Sequence, residues 1–271
     1  MRPAPEDLSP TEALVLLEPN TAPGQDAVRA SLLHLAAAGY LRAEVRTKRS
    51  WLGTGGETRL ARGPATGHPP DHLAVVLDAL FPPAKSEASI GSTEMTYRLQ
   101  HAFGYDYARY LARHVRPLLV SKALLAGEEY RWMGIVPRRR FRHTDDGVRL
   151  REHVATRLSG AAEIPELLRR DPGRAAASAA GLGGLVLIAE GLRPHLGELA
   201  SAARSEPDLS LVATLGADEE ERRAGWLEWA DLLAELDWGS ILDAIDGVGD
   251  AFDAGGDAGS ADGGGDGGGG E

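Results

Sequence analysis

The chain has 271 residues, of which 43% are hydrophobic and 25% charged, a composition that suits a soluble globular protein with one large domain or two small ones. It holds no cysteine, which excludes disulfides, thiolate zinc sites and a cysteine nucleophile. The net charge of −11 is unevenly spread: residues 217–271 carry 2 basic against 16 acidic side chains, so residues 1–216, with 27 against 24, are slightly basic.

The opening residues are acidic and proline-rich, so no signal peptide is expected there. The longest uncharged apolar stretch, Ala175–Ala189, has fifteen residues and three glycines. A spanning helix needs about 20 apolar residues, so a cytoplasmic protein is expected, with at most a peripheral pool on a membrane.

The first element opens at Ser9-Pro10-Thr11-Glu12, a capping box with proline at the first helical position, followed by the apolar run Ala13–Leu17. A second helix is expected from about Asp26, with Val28, Leu32, Leu35 and Ala36 on one face and Gly39 as its stop. From Leu41 to Lys48 apolar and charged residues alternate, the period of a half-buried strand. Gly53, Gly55 and Gly56 turn the chain, and Glu57–Arg62 returns it as a hairpin. After a Gly/Pro linker over residues 63–70, His72–Phe81 reads as a third helix.

The same grammar recurs further on. A helix over Tyr105–Lys122 precedes a strand through Tyr130 and Trp132, a loop at Gly134 and a return over Arg138–His143. Thr144 then caps a helix bearing Leu150, Val154 and Leu158. Beyond Pro165 the pattern is helical, over Ala175–Leu199, Glu219–Leu236 and Ser240–Val248. Residues 249–271 are Gly and Asp with almost nothing apolar, the composition of a disordered tail.

The expected fold is therefore mainly α with two small β-hairpins. It is arranged as tandem winged-helix-like units, about residues 8–63 and 72–160, packed on a C-terminal helical part within residues 1–216. An acidic helical segment over 217–248 and the tail follow.

Catalytic signatures are missing: there is no phosphate loop, no H-E-x-x-H and no G-x-S-x-G, so no enzyme activity and no cofactor are expected. His68 and His72 flank two prolines that oppose a shared helical face, which argues against a metal site. His143 with Asp145 and Asp146 reads as a strand end followed by a helix cap.

The basic surface is the more informative feature. Arg42, Arg46, Lys48 and Arg49 lead into Trp51 and Leu52 at the first hairpin tip; Arg138, Arg139, Arg140 and Arg142 form a second cluster beside Trp132; Arg109 and Arg113 stud the helix between. Arginines beside apolar tips suit an anionic bilayer, with Trp51 and Leu52 as insertion residues. The same clusters suit nucleic-acid phosphates, or a solvated face whose hairpins mediate homo-oligomer contacts.

Several short motifs resemble the Golgi phosphoprotein 3 family, phosphatidylinositol-4-phosphate-binding adaptors with bacterial relatives. They are the Leu8-to-Leu17 helix with Glu12, Leu32–Leu41 ending in Gly39-Tyr40-Leu41, Pro64-Ala65-Thr66-Gly67-His68, Val120-Ser121-Lys122-Ala123-Leu124-Leu125, and Met133-Gly134-Ile135-Val136-Pro137-Arg138-Arg139-Arg140-Phe141. The resemblance spans about residues 8–200 and implies a headgroup site. Of the family's arginines one falls on Arg109, one on Ala112 beside Arg113, and one on Val28 beside Arg29. A rival resemblance, to the cytosolic part of YciQ-like bacterial membrane proteins, rests on the first helix pair, the hairpin, His72–Phe81 and the Gly-rich tail. The candidate anion-binding residues are thus Arg29, Arg42, Arg46, Arg109, Arg113, Arg138, Arg139 and Arg140.

Overall fold

A computed structural model describes residues 8–50, 53–83, 88–132 and 136–205. Trp51, Leu52, residues 217–248 and the tail lie outside them, as do the side chains of Arg46 and Arg138. The described chain is mainly helical with two small antiparallel sheets. No helix among the described residues is long and apolar enough to cross a membrane.

Helix α1 (Pro10–Leu17) is apolar on nearly every side, and Ala13, Val15 and Leu16 are fully buried, as such a helix must be. It starts where the capping box requires: the Glu12 N–H donates to Ser9 Oγ, and the Ser9 N–H donates to the Glu12 carboxylate at 2.9 Å. Helix α2 (Gly24–Ala37) begins two residues earlier than its sequence pattern suggests. Its start lies so close to the Asp106–Tyr107 backbone that a Cβ at Gly24 would stand 2.2 Å from the Asp106 carbonyl oxygen.

Strands β1 (Leu41–Ser50) and β2 (Gly53–Arg62) pair as the expected hairpin, Leu41 opposite Arg62, but Gly53, Gly55 and Gly56 belong to β2 and pair with β1 instead of forming the turn, because the ladder continues to Ser50 opposite Gly53. The hairpin is extended to three strands by β3 (Ser89–Gly91), which pairs along β2. Between them runs α3 (Asp71–Leu80), as expected from the pattern at His72–Phe81.

Two departures follow from local chemistry. Helix α4 (Ser92–Phe103) has no counterpart in the sequence reading, because its buried stripe of Met95, Leu99 and Phe103 offers one apolar residue per turn. The expected continuous helix over Tyr105–Lys122 is broken instead. Gly104 and Tyr107 take positive φ (87° and 53°), a short turn α5 (Ala108–Tyr110) follows, then a π-helical stretch over Leu111–Val115, then α6 (Arg116–Ser121). Pro117 supplies no N–H and its ring crowds the carbonyl four residues back, so the ladder widens and the Arg116 N–H reaches Leu111 O.

Strands β4 (Leu125–Trp132) and β5 (Val136–His143) form the second hairpin. Thr144 caps α7 (Asp145–Ala161), its Oγ1 accepting from the Gly147 N–H at 3.0 Å. The expected helix over Ala175–Leu199 is likewise divided. After α8 (Ile164–Arg170), α9 (Pro172–Leu182) stops at Gly183 (φ 57°), two 3-10 turns follow, and α10 (Leu196–Ser205) ends the described chain. Gly184 meets α1 closely: a Cβ there would lie 3.3 Å from Pro10 Cγ. A single apolar cluster runs from Leu8 to Ala202 with α1 at its centre.

Candidate anion-binding surface

The C-terminal end of α1 determines where the second hairpin sits. A helix leaves its last carbonyls without intrahelical donors, and here side chains from distant elements supply them. His143 Nε2 donates to Leu16 O at 2.6 Å, Arg151 Nε to Leu17 O at 3.3 Å, and Arg116 Nε to Pro19 O at 2.8 Å. Asn20 then clamps β5, its Nδ2 donating to Phe141 O at 2.8 Å and its Oδ1 accepting the Phe141 N–H at 2.9 Å. Two guanidinium groups approach the Phe141 ring, Arg116 Cζ at 5.6 Å and Arg139 Cζ at 5.5 Å from its centre. Gly127, opposite Phe141 in the register, leaves the space over which Arg139 folds: a Cβ there would stand 2.6 Å from Arg139 Nε.

The result is an open groove of about 660 Å3 lined by Asn20, Glu128, Tyr130, Arg139, Arg140 and Arg142. Among the described residues no carboxylate makes an ion pair with Arg139 or Arg140, while Arg142 Nε lies 3.1 Å from Glu128 with both side chains largely exposed. A pair so exposed contributes at most about 1 kcal/mol and exchanges readily for another anion. Tyr130, 43% exposed, also lines the groove.

The structure sorts the remaining expected site residues differently. Arg109 and Arg113 are exposed on the interrupted helix, and the aromatic side chains of Tyr105 (80% exposed) and Tyr97 (63%) are exposed nearby in sequence. Arg42 pairs with Glu44 at 2.8 Å on β1. Arg29 is half-buried against Asp26 at 3.8 Å, and its charge opposes the burial that pushes the Tyr107 hydroxyl up to about 12. The sequence reading misses Asn20, which is 121 residues from its partner; no local pattern joins the two.

A second polar constellation lies under the first turn of α1. Lys122 Nζ approaches Glu12 Oε1 at 2.6 Å, and Ser9 Oγ shares a hydrogen bond of 2.9 Å with His72 Nε2. Thr11, Ser31 and the Tyr110 hydroxyl form a chain of 2.7 Å contacts beside them. Ser9 and His72 are 8% and 3% exposed, which keeps substrate away from the pair, so it reads as a structural bond between α1 and α3. Among the described residues no group of three His, Asp or Glu side chains is placed to hold a metal ion.

The histidines of this core make stability pH-dependent. Burial first, and the neighbouring His72 second, lower His34 from 6.5 to about 4; burial also lowers His72, against the opposing pull of Glu12. Both are neutral in the folded chain at pH 7, whereas the unfolded chain takes up protons below about pH 6.5. The stabilisation is therefore present above that pH and is lost as pH falls towards 4, by at most about 3 kcal/mol for His34. Denaturant midpoints measured between pH 7.5 and 4.5 should fall steadily, and more shallowly in His34→Gln. Identical slopes in the two proteins would remove His34 from this account.

Compared with protein-family models, with curated proteins and with solved structures, the chain matches none.

Proposed function

We propose that this chain is a non-enzymatic peripheral protein that binds anionic membrane surface through the β4–β5 arginine face. The observation that carries the reading is the groove itself. Three arginines converge there, and the one carboxylate among its lining residues, Glu128, makes only an exposed pair with Arg142. Each arginine brought to an anionic bilayer contributes on the order of 1 kcal/mol, and an exposed tyrosine in the groove lining suits the headgroup layer.

The order of elements also supports a Golgi phosphoprotein 3-like arrangement of two winged-helix-like units, since a helix precedes each of the hairpins β1–β2 and β4–β5. In that arrangement a phosphatidylinositol-4-phosphate headgroup would be held with the help of the exposed Arg109 and Arg113. The exposure of those two arginines on the helix before β4 also favours a second reading, a nucleic-acid-binding regulator.

Co-sedimentation of the full chain with neutral vesicles, generic anionic vesicles and vesicles containing phosphatidylinositol-4-phosphate separates these. Binding to anionic but not neutral vesicles is expected, and a further gain with the phosphoinositide would support the headgroup site. No vesicle binding, together with steeply salt-dependent binding to duplex DNA, would replace the membrane reading with the second one.

A further inference from the structure

We propose that the acidic segment of this same chain, centred on Asp218-Glu219-Glu220-Glu221, docks on the β4–β5 arginine face and competes there with outside polyanions. The inference shares the arginine face with the membrane reading but does not depend on its ligand.

Charge is the first argument. Residues 125–143 hold five arginines against two glutamates, and residues 217–271 hold 16 acidic side chains against 2 basic ones. The carboxylates are most concentrated at 218–221, where four stand consecutively, while those of the Gly-rich tail are separated by several residues. The groove sets three arginines, Arg139, Arg140 and Arg142, against that run of four carboxylates.

Availability is the second argument. Many arginines of the molecule are already committed: Arg151 caps α1 and Arg116 holds the Pro19 carbonyl just beyond it, while Arg62 Nη2 donates to Phe81 O and Arg98 Nη1 to Leu80 O at the end of α3. Arg139 and Arg140 pair with no carboxylate among the described residues, so the groove is a strong remaining attractor for an anionic peptide.

Reach is the third argument. Twelve residues, and so thirteen Cα-to-Cα steps, separate Ser205, the end of α10, from Asp218. Fully extended they span about 45 Å, and a compact body of about 200 residues has a radius of gyration near 16 Å. A sphere with that radius of gyration is about 21 Å in radius, so the segment can reach roughly three quarters of its surface. Covalent attachment supplies an effective concentration in the millimolar range, so even a weak contact is substantially occupied at low salt.

The test uses the full chain and its variant Asp218→Asn/Glu219→Gln/Glu220→Gln/Glu221→Gln, without vesicles. Phenylglyoxal modification of Arg139, Arg140 and Arg142 is followed by mass spectrometry at low salt and at about 0.5 M salt, where screening shortens electrostatic reach to a few ångströms. Modification in the variant should be at least about threefold faster at low salt, as displacement of a tethered competitor predicts, and the difference should vanish at high salt. A peptide of residues 217–248 added to the variant should restore the protection. Equal rates at low salt, or no protection by the peptide, would overturn the proposal. Vesicle binding gives a separate reading. If the rates differ but neither protein binds vesicles, the membrane function fails and the internal contact stands. If both bind vesicles equally and the rates match, the internal contact fails and the membrane function stands.

Discussion

Replacing Lys122 with Met should lower the unfolding free energy by about 3 kcal/mol, because it strips the partner from a carboxylate that the fold keeps out of water. Glu12 is 2% exposed, with Lys122 Nζ at 2.6 Å from its Oε1, while its other oxygen accepts the Ser9 N–H of the capping box. The pair ties the start of the central helix α1 to the end of α6, and so to the strand β4 that carries the groove. For a body of this size the loss corresponds to a fall in Tm of roughly 6–12 °C. Glu12→Gln keeps the capping geometry but removes the charge, so Glu12→Gln/Lys122→Met should be less destabilised than the sum of the single changes. A Tm for Lys122→Met within about 2 °C of the parent, well below the shift expected for a buried pair, would mean that water already satisfies Glu12.

The second large effect concerns glycines in one helix. A Cβ at Gly147 would stand 2.0 Å from the Leu124 carbonyl oxygen, where the first turn of α7 crosses the entrance to β4. That oxygen also accepts the Thr144 N–H at 3.1 Å and cannot retreat without opening the cap. Gly147→Ala should therefore cost about 2–3 kcal/mol despite the better helix propensity of alanine. Gly160, in the same helix, has nothing within 4 Å of the added carbon, and Gly160→Ala should stabilise by up to about 1 kcal/mol. Thermal melts of the two variants should move in opposite directions; a shared direction would contradict the close packing of α7 on β4.

Much of this architecture was legible because local chemistry and tertiary packing agree. The Ser9–Glu12 capping box, the Leu41–Lys48 alternation and the Thr144 cap each appear where the pattern places them. Legibility failed where one element depends on another far away. The break before α5 lies where the chain passes close to Gly24 of α2, a contact no local pattern shows, and the π-helical stretch reflects Pro117, which a run of leucines and arginines masks. Strand β3 has three residues, too few for a period.

The site divides in the same way. The run Arg138-Arg139-Arg140 is visible as charge, but sequence alone did not distinguish arginines that cap helices from those left facing solvent. Arg116 and Arg151 turn out to serve the end of α1, Arg42 pairs with Glu44, and Arg139 and Arg140 line the groove. Asn20 and Tyr130 complete it through contacts that only the folded chain creates.

We propose that this groove is where the protein meets an anionic surface. The most direct test is the affinity of the full chain and of Arg139→Gln/Arg140→Gln/Arg142→Gln for anionic vesicles at one low salt concentration, with circular dichroism confirming that both are folded. At about 1 kcal/mol per arginine the triple change should weaken binding roughly 100-fold. Equal affinity of the two folded proteins would contradict the claim and move the contact to another face of the molecule.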